Sequence, residues 1–340
     1  MTGPRYRAVV VGCGRIGVTM EADPKRILPA THAGAYRACS RTELAAVVDT
    51  DTAQVGRAQQ IFPGVSAFAA VDEMLTRIRP DIVSIATPPS HHRAAVEACA
   101  KQGVPAVVCE KPLAETLEDG RAMVAACAAS GTRLLVNHTR RFDPLLRRLR
   151  DEIVAGALGE ITQATGYYTA GLFNTGTHMV DLLRFFLGDV AWGLAVDNGA
   201  YSHAPGDLNV DALLGFRGGA RAALQVSEVK DYTIFTVRLH GRAGTTVVDR
   251  FGFEIERTGV RDCAEFSGYK EVDVAGARRD GRSRSFMAPL VEHVVACLDG
   301  HDRPVSRGED GLAALEVLLA LKASAAAGGR RVDIPAGGRA

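Results

Sequence analysis

Arg7-Ala8-Val9-Val10-Val11-Gly12-Cys13-Gly14-Arg15-Ile16-Gly17 decides how this chain is read. A β-branched run of strand length stops at Gly12, and glycines follow in the spacing Gly-x-Gly-x-x-Gly. Glycines there permit a tight turn, let backbone approach a pyrophosphate, and leave free N–H groups at a helix start to hold its charge. Alone the pattern is weak. Its context strengthens it: a strand comes before it, and an acidic residue, Asp49, closes the next strand, Glu43–Val48. Asp49 can accept hydrogen bonds from both ribose hydroxyls and would repel a 2′-phosphate, so NAD is expected rather than NADP. Gly12, Cys13, Gly14, Arg15, Ile16, Gly17, Asp49 and Thr50 are the candidate residues for that half of the cofactor. Cys13, at a variable position of the loop, reads as a small packing residue.

Gly17 and Asp49 stand farther apart than the roughly 20 residues usual for this unit. The excess is Val18–Ala30, whose Asp23-Pro24 and Leu28-Pro29 exclude one continuous helix. It starts at the carboxyl end of the first strand, where ligands bind in such sheets. A substrate-side flap and a plain surface insertion both remain open.

Outward from the loop, strands and helical patterns alternate. Asp81–Ala86, Val104–Cys109 and Arg133–Val136 read as further strands. His32–Cys39, Val71–Ile78, His92–Lys101 and Leu117–Ala129 read as helices. That alternation predicts βαβ units and a doubly wound parallel sheet. After Asn137 the pattern changes. Helices are expected at Pro144–Val154 and Thr177–Leu187, followed by alternating strands at Leu213–Phe216, Ala220–Val226, Thr233–His240, Thr245–Val248 and Phe253–Arg257. His240-Gly241-Arg242-Ala243-Gly244 reads as a hairpin turn, so this sheet should be mostly antiparallel. The expected division is a dinucleotide-binding domain over 1–137 and an α+β domain over 138–340. A late helix, Gly311–Ala326, packs back near the junction.

Composition narrows the class. The chain has 340 residues, enough for about two domains at roughly 150 each. Its 47% hydrophobic content allows a sizeable core. With 40 basic and 39 acidic side chains it lacks the charge excess of a nucleic-acid binder. No apolar run reaches the roughly 20 residues of a membrane helix. The first residues show no signal-peptide pattern, so a cytoplasmic protein is expected. Seven scattered cysteines without a CxxC pair read as reduced thiols. His203, His240, His293 and His301 share no metal-ligand spacing with them, and no metal is expected.

Three further segments bear on function. Thr87-Pro88-Pro89-Ser90-His91-His92 follows the third of these strands and Glu110-Lys111-Pro112 the fourth. Asn174-Thr175-Gly176-Thr177-His178-Met179-Val180-Asp181 opens a helix of the second domain. With the glycine loop, this order and spacing resemble the glucose–fructose oxidoreductase / inositol dehydrogenase / rhizopine catabolism family over nearly the whole chain. The resemblance implies an N-terminal Rossmann domain and a C-terminal open-faced sheet that forms a homodimer or homotetramer. It also implies oxidation or reduction of a sugar or cyclitol hydroxyl.

Such chemistry needs a base for the hydroxyl proton and a donor for the developing alkoxide. Lys111 matches the family lysine that contacts substrate oxygen and cofactor. His178, able to accept and return a proton near neutral pH, is the candidate base. Asp181, one turn on, either fixes its tautomer or makes a cap or inter-domain contact. Many family members carry Asp where this chain has Asn174. Asn cannot hold a negative charge, so His178 is expected to act alone as base, with Asn174 positioning it. On the cofactor side the resemblance points to Ala86, Thr87, Pro88, His92 and Glu110, with His91 facing solvent. Asn137 and Arg140 end the fifth strand and face the cleft. Arg140 and Arg141 contact cofactor or substrate, or instead form domain-linking ion pairs. Tyr167, Tyr168, Phe173 and Thr177 read as pocket wall or as ordinary packing. Arg278–Arg284 reads as a site for a phosphorylated sugar or as a solvated loop.

The expected activity is therefore NAD-dependent oxidation of a ring hydroxyl of a sugar, an amino sugar (as sugar nucleotide or aminoglycoside) or a cyclitol, with the 3-position as a refinement. A glycoside-cleaving enzyme that recycles NAD in place and a non-catalytic NAD-binding regulator are the rival readings.

Overall fold

A computed structural model describes residues 3–202, 206–281 and 285–335. The chain divides into two compact units, Met1–Asp143 with Arg284–Leu312, and Pro144–Ser283 with Ala313–Ala340.

The first unit is built on a six-stranded sheet in the order β3-β2-β1-β4-β5-β6. Its strands are β1 (Tyr6–Val11), β2 (Thr42–Val48), β3 (Ser66–Phe68), β4 (Ile82–Ile85), β5 (Ala106–Cys109) and β6 (Arg133–Val136). Every neighbouring pair is parallel. β4 and β5 are buried along their whole length, as strands covered on both faces must be. Helices α1 (His32–Ala38), α2 (Thr52–Ile61), α3 (Val71–Ile78), α4 (His92–Lys101) and α5 (Leu117–Ser130) alternate with them.

The register aligns the strand ends. Val48, Val11, Ile85, Cys109 and Val136 form one row across the sheet. The row continues one residue further. The amides of Gly12, Ala86, Glu110 and Asn137 donate to the carbonyls of Val48, Val11, Ile85 and Cys109, at 2.8, 2.7, 2.9 and 2.8 Å. The residue that follows each strand therefore stands beside its counterpart on the next.

Two elements lacked a legible sequence pattern. β3 is only three residues long, and α2 buries only Ala58, so it carries no apolar stripe. The Val18–Ala30 segment is looped out of a helical start: His32 N donates to Ile16 O and Ala33 N to Gly17 O. It holds a short 3₁₀ turn, Thr19–Ala22. Glu21 closes its base by accepting from Ala30 N, Thr31 N and the Thr31 hydroxyl at 2.8–3.0 Å.

The second unit carries α6 (Pro144–Val154), α7 (Thr177–Leu187) and a ten-stranded sheet. Its strands are β7 (Ile161–Thr169), β8 (Val190–Asp197), β9 (Val210–Phe216), β10 (Arg221–Ser227), β11 (Thr236–Gly241), β12 (Gly244–Asp249), β13 (Glu254–Asp262), β14 (Lys270–Val272), β15 (Arg278–Gly281) and β16 (Val332–Asp333). All pairs are antiparallel except β7 with β10. The expected hairpin is the β11–β12 turn, Arg242-Ala243. β7, in the middle of the sheet, carried no strand assignment from its sequence. Gly166 weakens its pattern, and Met179 of α7 packs against it, its Sδ 2.6 Å from where a Cβ would stand.

The division of the chain differs from the unbroken 138–340 domain expected from the sequence. Met287–Leu298 forms α8, whose Met287, Leu290, Val291 and Val294 belong to the core of the first unit. Its pattern was hidden by Pro289, which a first helical turn tolerates. Ser306 and Arg307 then pair with the edge of β6. Val136 N donates to Ser306 O at 2.9 Å, and the Ser306 hydroxyl donates to Val136 O at 2.7 Å. The unit boundary falls inside α9 (Gly308–Ala326). Leu290→Ala is expected to cost about 2–5 kcal/mol, read as a lower thermal midpoint; an unchanged midpoint would take α8 out of the core.

Candidate functional site

Glycine chemistry shapes the end of β1. Gly12 has φ +97°, and a Cβ there would lie 2.7 Å from the Ala86 backbone. A Cβ on Gly17 would lie 2.0 Å from Gly12 O. Gly14, by contrast, meets nothing within 4 Å. The first and third glycines thus close the turn on itself, while the second leaves an open face for an incoming phosphate.

That face belongs to a cleft of about 650 Å³ in the first unit. Gly12, Gly14, Asp49, Thr50, Ala86, Thr87 and Pro88, all expected cofactor residues, line it. Asp49 is fixed from both sides: its carboxylate accepts from Cys13 N at 2.7 Å and Asp51 N at 2.9 Å. The side-chain oxygens of Gln54, which lines the same wall, and of Thr87 are buried with no hydrogen-bond partner among the described residues. Polar atoms in that state at a cleft of this size fit a ligand rich in hydroxyls and phosphates. Cys13 faces inward, fully buried. Burial, reinforced by the charge of Asp49, pushes its thiol up to about 12, so it stays neutral. Arg15 is exposed and Ile16 half-buried beside the loop.

Of the two histidines after β4, only His92 differs from expectation. His91, expected in solvent, is exposed and lines the cleft. His92, expected on the cofactor, is fully buried. Its ring nitrogens meet Thr87 O at 2.9 Å and Leu113 O at 3.0 Å, tying the two strand-end loops together. Position explains the difference: α4 begins at His92, and its first turn packs inward.

Glu110 and Asn137 follow adjacent strands, β5 and β6, and meet. Asn137 Nδ2 donates to Glu110 Oε1 at 2.5 Å. His32 Nε2 lies 2.9 Å from the same oxygen, and Lys111 N donates to Oε2 at 3.3 Å. Burial pushes the Glu110 carboxyl up. The bond and charge of His32, then Lys111 and Asn137, outweigh it and hold the group below the usual carboxylate value. Lys111 itself is half-buried. Arg140 lies over the Phe286 ring at 5.4 Å. Arg141, 6% exposed, donates to Val305 O at 3.2 Å and pairs with Asp310 at 3.3 Å, contacts within the first unit.

In the second unit the segment before α7 is a π-type turn, Leu172–Gly176. Such turns mark functional positions more often than ordinary helix does. Ala170 and Gly171 enter it at φ +70° and +100°. For an alanine that backbone costs about 1 kcal/mol or more. Asp207 holds the turn: its carboxylate accepts from Phe173 N at 2.9 Å and Asn174 N at 3.1 Å. A Cβ on Gly171 would stand 2.1 Å from Asp207 Oδ2, so glycine is required. Asn209 Oδ1 accepts from Gly171 N at 2.8 Å. Asn174 is exposed, and its Nδ2 donates to Ala170 O at 3.1 Å. Thr177 and Asp181 are buried, and His178 is half-buried at the start of α7. Tyr168 is a core residue whose hydroxyl donates to Val210 O. Sequence gave no sign of Asp207, because its loop carries no period and no motif.

The described part of the basic cluster is strand rather than loop. Arg278 and Arg279 lie on β15 and Arg279 pairs with Glu256, while Arg282, Ser283 and Arg284 lie outside the described residues. Among the described residues no group of three His, Cys, Asp or Glu is placed to hold a metal, and no helix is long and apolar enough to cross a membrane.

Comparison with known proteins agrees with this geometry. Residues 6–138 match the oxidoreductase family with an NAD-binding Rossmann fold. A D-apiose dehydrogenase from Paraburkholderia graminis is 27% identical over 359 residues, covering 98% of this chain and 91% of that one. An inositol 2-dehydrogenase from Arthrobacter sp. is 32% identical over 212 residues, 58% of this chain and 59% of that one. Among solved structures, the WlbA dehydrogenase from Bordetella pertussis, in complex with NADH and UDP-GlcNAcA, has a TM-score of 0.76 and 25% identity, covering 98% of this chain and 100% of that one. Residues 6–138 thus resemble the NAD-binding Rossmann domain of the glucose–fructose oxidoreductase / inositol dehydrogenase / rhizopine catabolism oxidoreductases, and the relatives matched along the chain are dehydrogenases.

Proposed function

We propose that this enzyme oxidises a secondary ring hydroxyl of a sugar, an amino sugar or a cyclitol. The observation that carries the reading is the strand-end row, where the Asp49 cleft and the Glu110–Lys111 pair stand on one edge of one parallel sheet. NAD, when bound, supplies the hydride acceptor. Asp49 takes the adenosine ribose hydroxyls, and the open face of Gly14 takes the pyrophosphate. Lys111 donates to the substrate oxygen as negative charge develops on it. His178 takes the hydroxyl proton at a ring nitrogen and returns it in the reverse direction. Asn174 and Thr177 orient the substrate beside it. An amino-sugar nucleotide with oxidation at the 3-position is the favoured substrate class. Support comes from the Bordetella relative, which was solved with UDP-GlcNAcA. Homo-oligomerisation through the second unit's sheet completes the reading.

A screen of free, phosphorylated, nucleotide-linked and aminoglycoside sugars with NAD and NADP, followed at the nicotinamide absorbance, tests the activity. NADH should accumulate with at least one ring alcohol. Consumption of a glycoside without NADH would point to in-place recycling, and NAD binding with no turnover on any compound would overturn the reading. Lys111→Met is expected to lower kcat by about 100- to 1,000-fold, the loss typical of one donor to a developing oxyanion. His178→Asn should cost about 100- to 10,000-fold and remove the acid limb of the pH–rate profile. For Asp49→Ser, the ratio of kcat/KM for NAD over NADP should drop by about tenfold or more, the worth of one charged hydrogen bond.

A further inference from the structure

Three buried polar residues of the first unit, Tyr36, Ser84 and His32, have no part in the roles above. Tyr36 Oη lies 2.7 Å from Ser84 Oγ, and Ser84 Oγ lies 2.9 Å from His32 Nδ1. His32 Nε2 lies 2.9 Å from Glu110 Oε1. Tyr36, Ser84 and His32 are fully buried, and Glu110 is 6% exposed. The members come from α1, from β4 and from the residue after β5. Thr31 sets the start of α1 by accepting from Gly34 N at 3.0 Å, and so fixes where His32 stands.

Hydrogen-bond direction follows from the end that carries charge. An ionised carboxylate only accepts, so His32 Nε2 bears the proton. The other ring nitrogen, Nδ1, meets the Ser84 hydroxyl, whose second partner is Tyr36 Oη. The chain ends at Tyr36 in the core, so it does not conduct protons to solvent. An apolar set of the same shape would stabilise the core as well or better. What the polar set provides is one fixed orientation of one carboxylate.

We propose that His32 is a positioning residue for the dehydrogenase reaction: braced by Ser84 and Tyr36, it holds the Glu110 carboxylate as the fixed negative neighbour of Lys111. The proposal rests on the reading of Lys111 as the donor to the substrate oxygen. Among the described residues, the titratable groups that face Glu110 are His32 from α1, Lys111 next in the chain and the buried thiol of Cys109. Asn137 adds an uncharged donor from beyond β6. Ionised Glu110 favours the charged ammonium of Lys111. The group is held below its usual value, so its contribution is present above that point and lost as pH falls through it. Removing His32 shifts this loss to higher pH.

The test compares wild type with His32→Leu, His32→Gln, Ser84→Ala, Tyr36→Phe and Lys111→Met, each checked by thermal melt and by calorimetric NAD binding. His32→Leu is expected to lower kcat/KM by up to about 100-fold, the loss typical of a misplaced group. NAD affinity should be little changed. His32→Gln keeps an N–H toward Glu110 and should recover most of the rate. Isotope-edited infrared titration of the Glu110 carboxyl, assigned with Glu110→Gln, should show it titrating at higher pH in His32→Leu than in wild type, without any substrate. If His32→Leu does not fold, Ser84→Ala and Tyr36→Phe carry the test with smaller shifts in the same direction. Folded variants whose kcat/KM and carboxyl titration match wild type overturn the proposal alone. A Lys111→Met enzyme as fast as wild type overturns the reading of Lys111 and the proposal with it.

Discussion

Parallel pairing in register governs the first unit. When neighbouring strands run the same way and end together, whatever follows each strand comes to one edge of the sheet. Here the ends are Val48, Val11, Ile85, Cys109 and Val136, and the amide that follows each of four strands bonds to the carbonyl ending its neighbour. Those backbone bonds leave only side chains to differ along the edge. A glycine stands after β1, an aspartate after β2, an alanine after β4, a glutamate after β5 and an asparagine after β6. Cofactor cleft and buried carboxylate are thus consequences of one hydrogen-bonding pattern.

Buried charge imposes the second constraint. A carboxylate with 6% exposure needs donors, or it takes up a proton. Glu110 has them from three directions: His32 in α1, Asn137 beyond β6, and the amide of its own neighbour Lys111. None of these donors is a mobile surface group. The second unit uses the same physics on backbone instead of side chain, where the Asp207 carboxylate takes up two amides of a turn that has left regular helical bonding.

Much of this was legible in the sequence. A strand followed by spaced glycines leaves few alternatives, and apolar runs separated by helical periods dictate a parallel sheet, because crossovers on both faces bury both sides of each strand. The missed elements share a cause: β3 and α2 bury too little to show a period, and Gly166 and Pro289 interrupt the patterns of β7 and α8. The misread side chains share another. Which of His91 and His92 turns inward depends on where a helix starts, a matter of one residue. His32 carries no motif at all. It matters because the Val18–Ala30 segment is looped out and returns α1 to the glycine loop. Asp207 became relevant only when a loop far along the chain folded onto Gly171.

That last arrangement bears on how the enzyme diversifies. The geometry of the turn leading into His178 is set by a carboxylate borrowed from a different stretch of chain, one outside α7 and outside any strand. Insertions or deletions near residue 207 would therefore retune the approach to His178 while α7 stays untouched. Substrate range can drift through loop length alone, with His178 inherited unchanged.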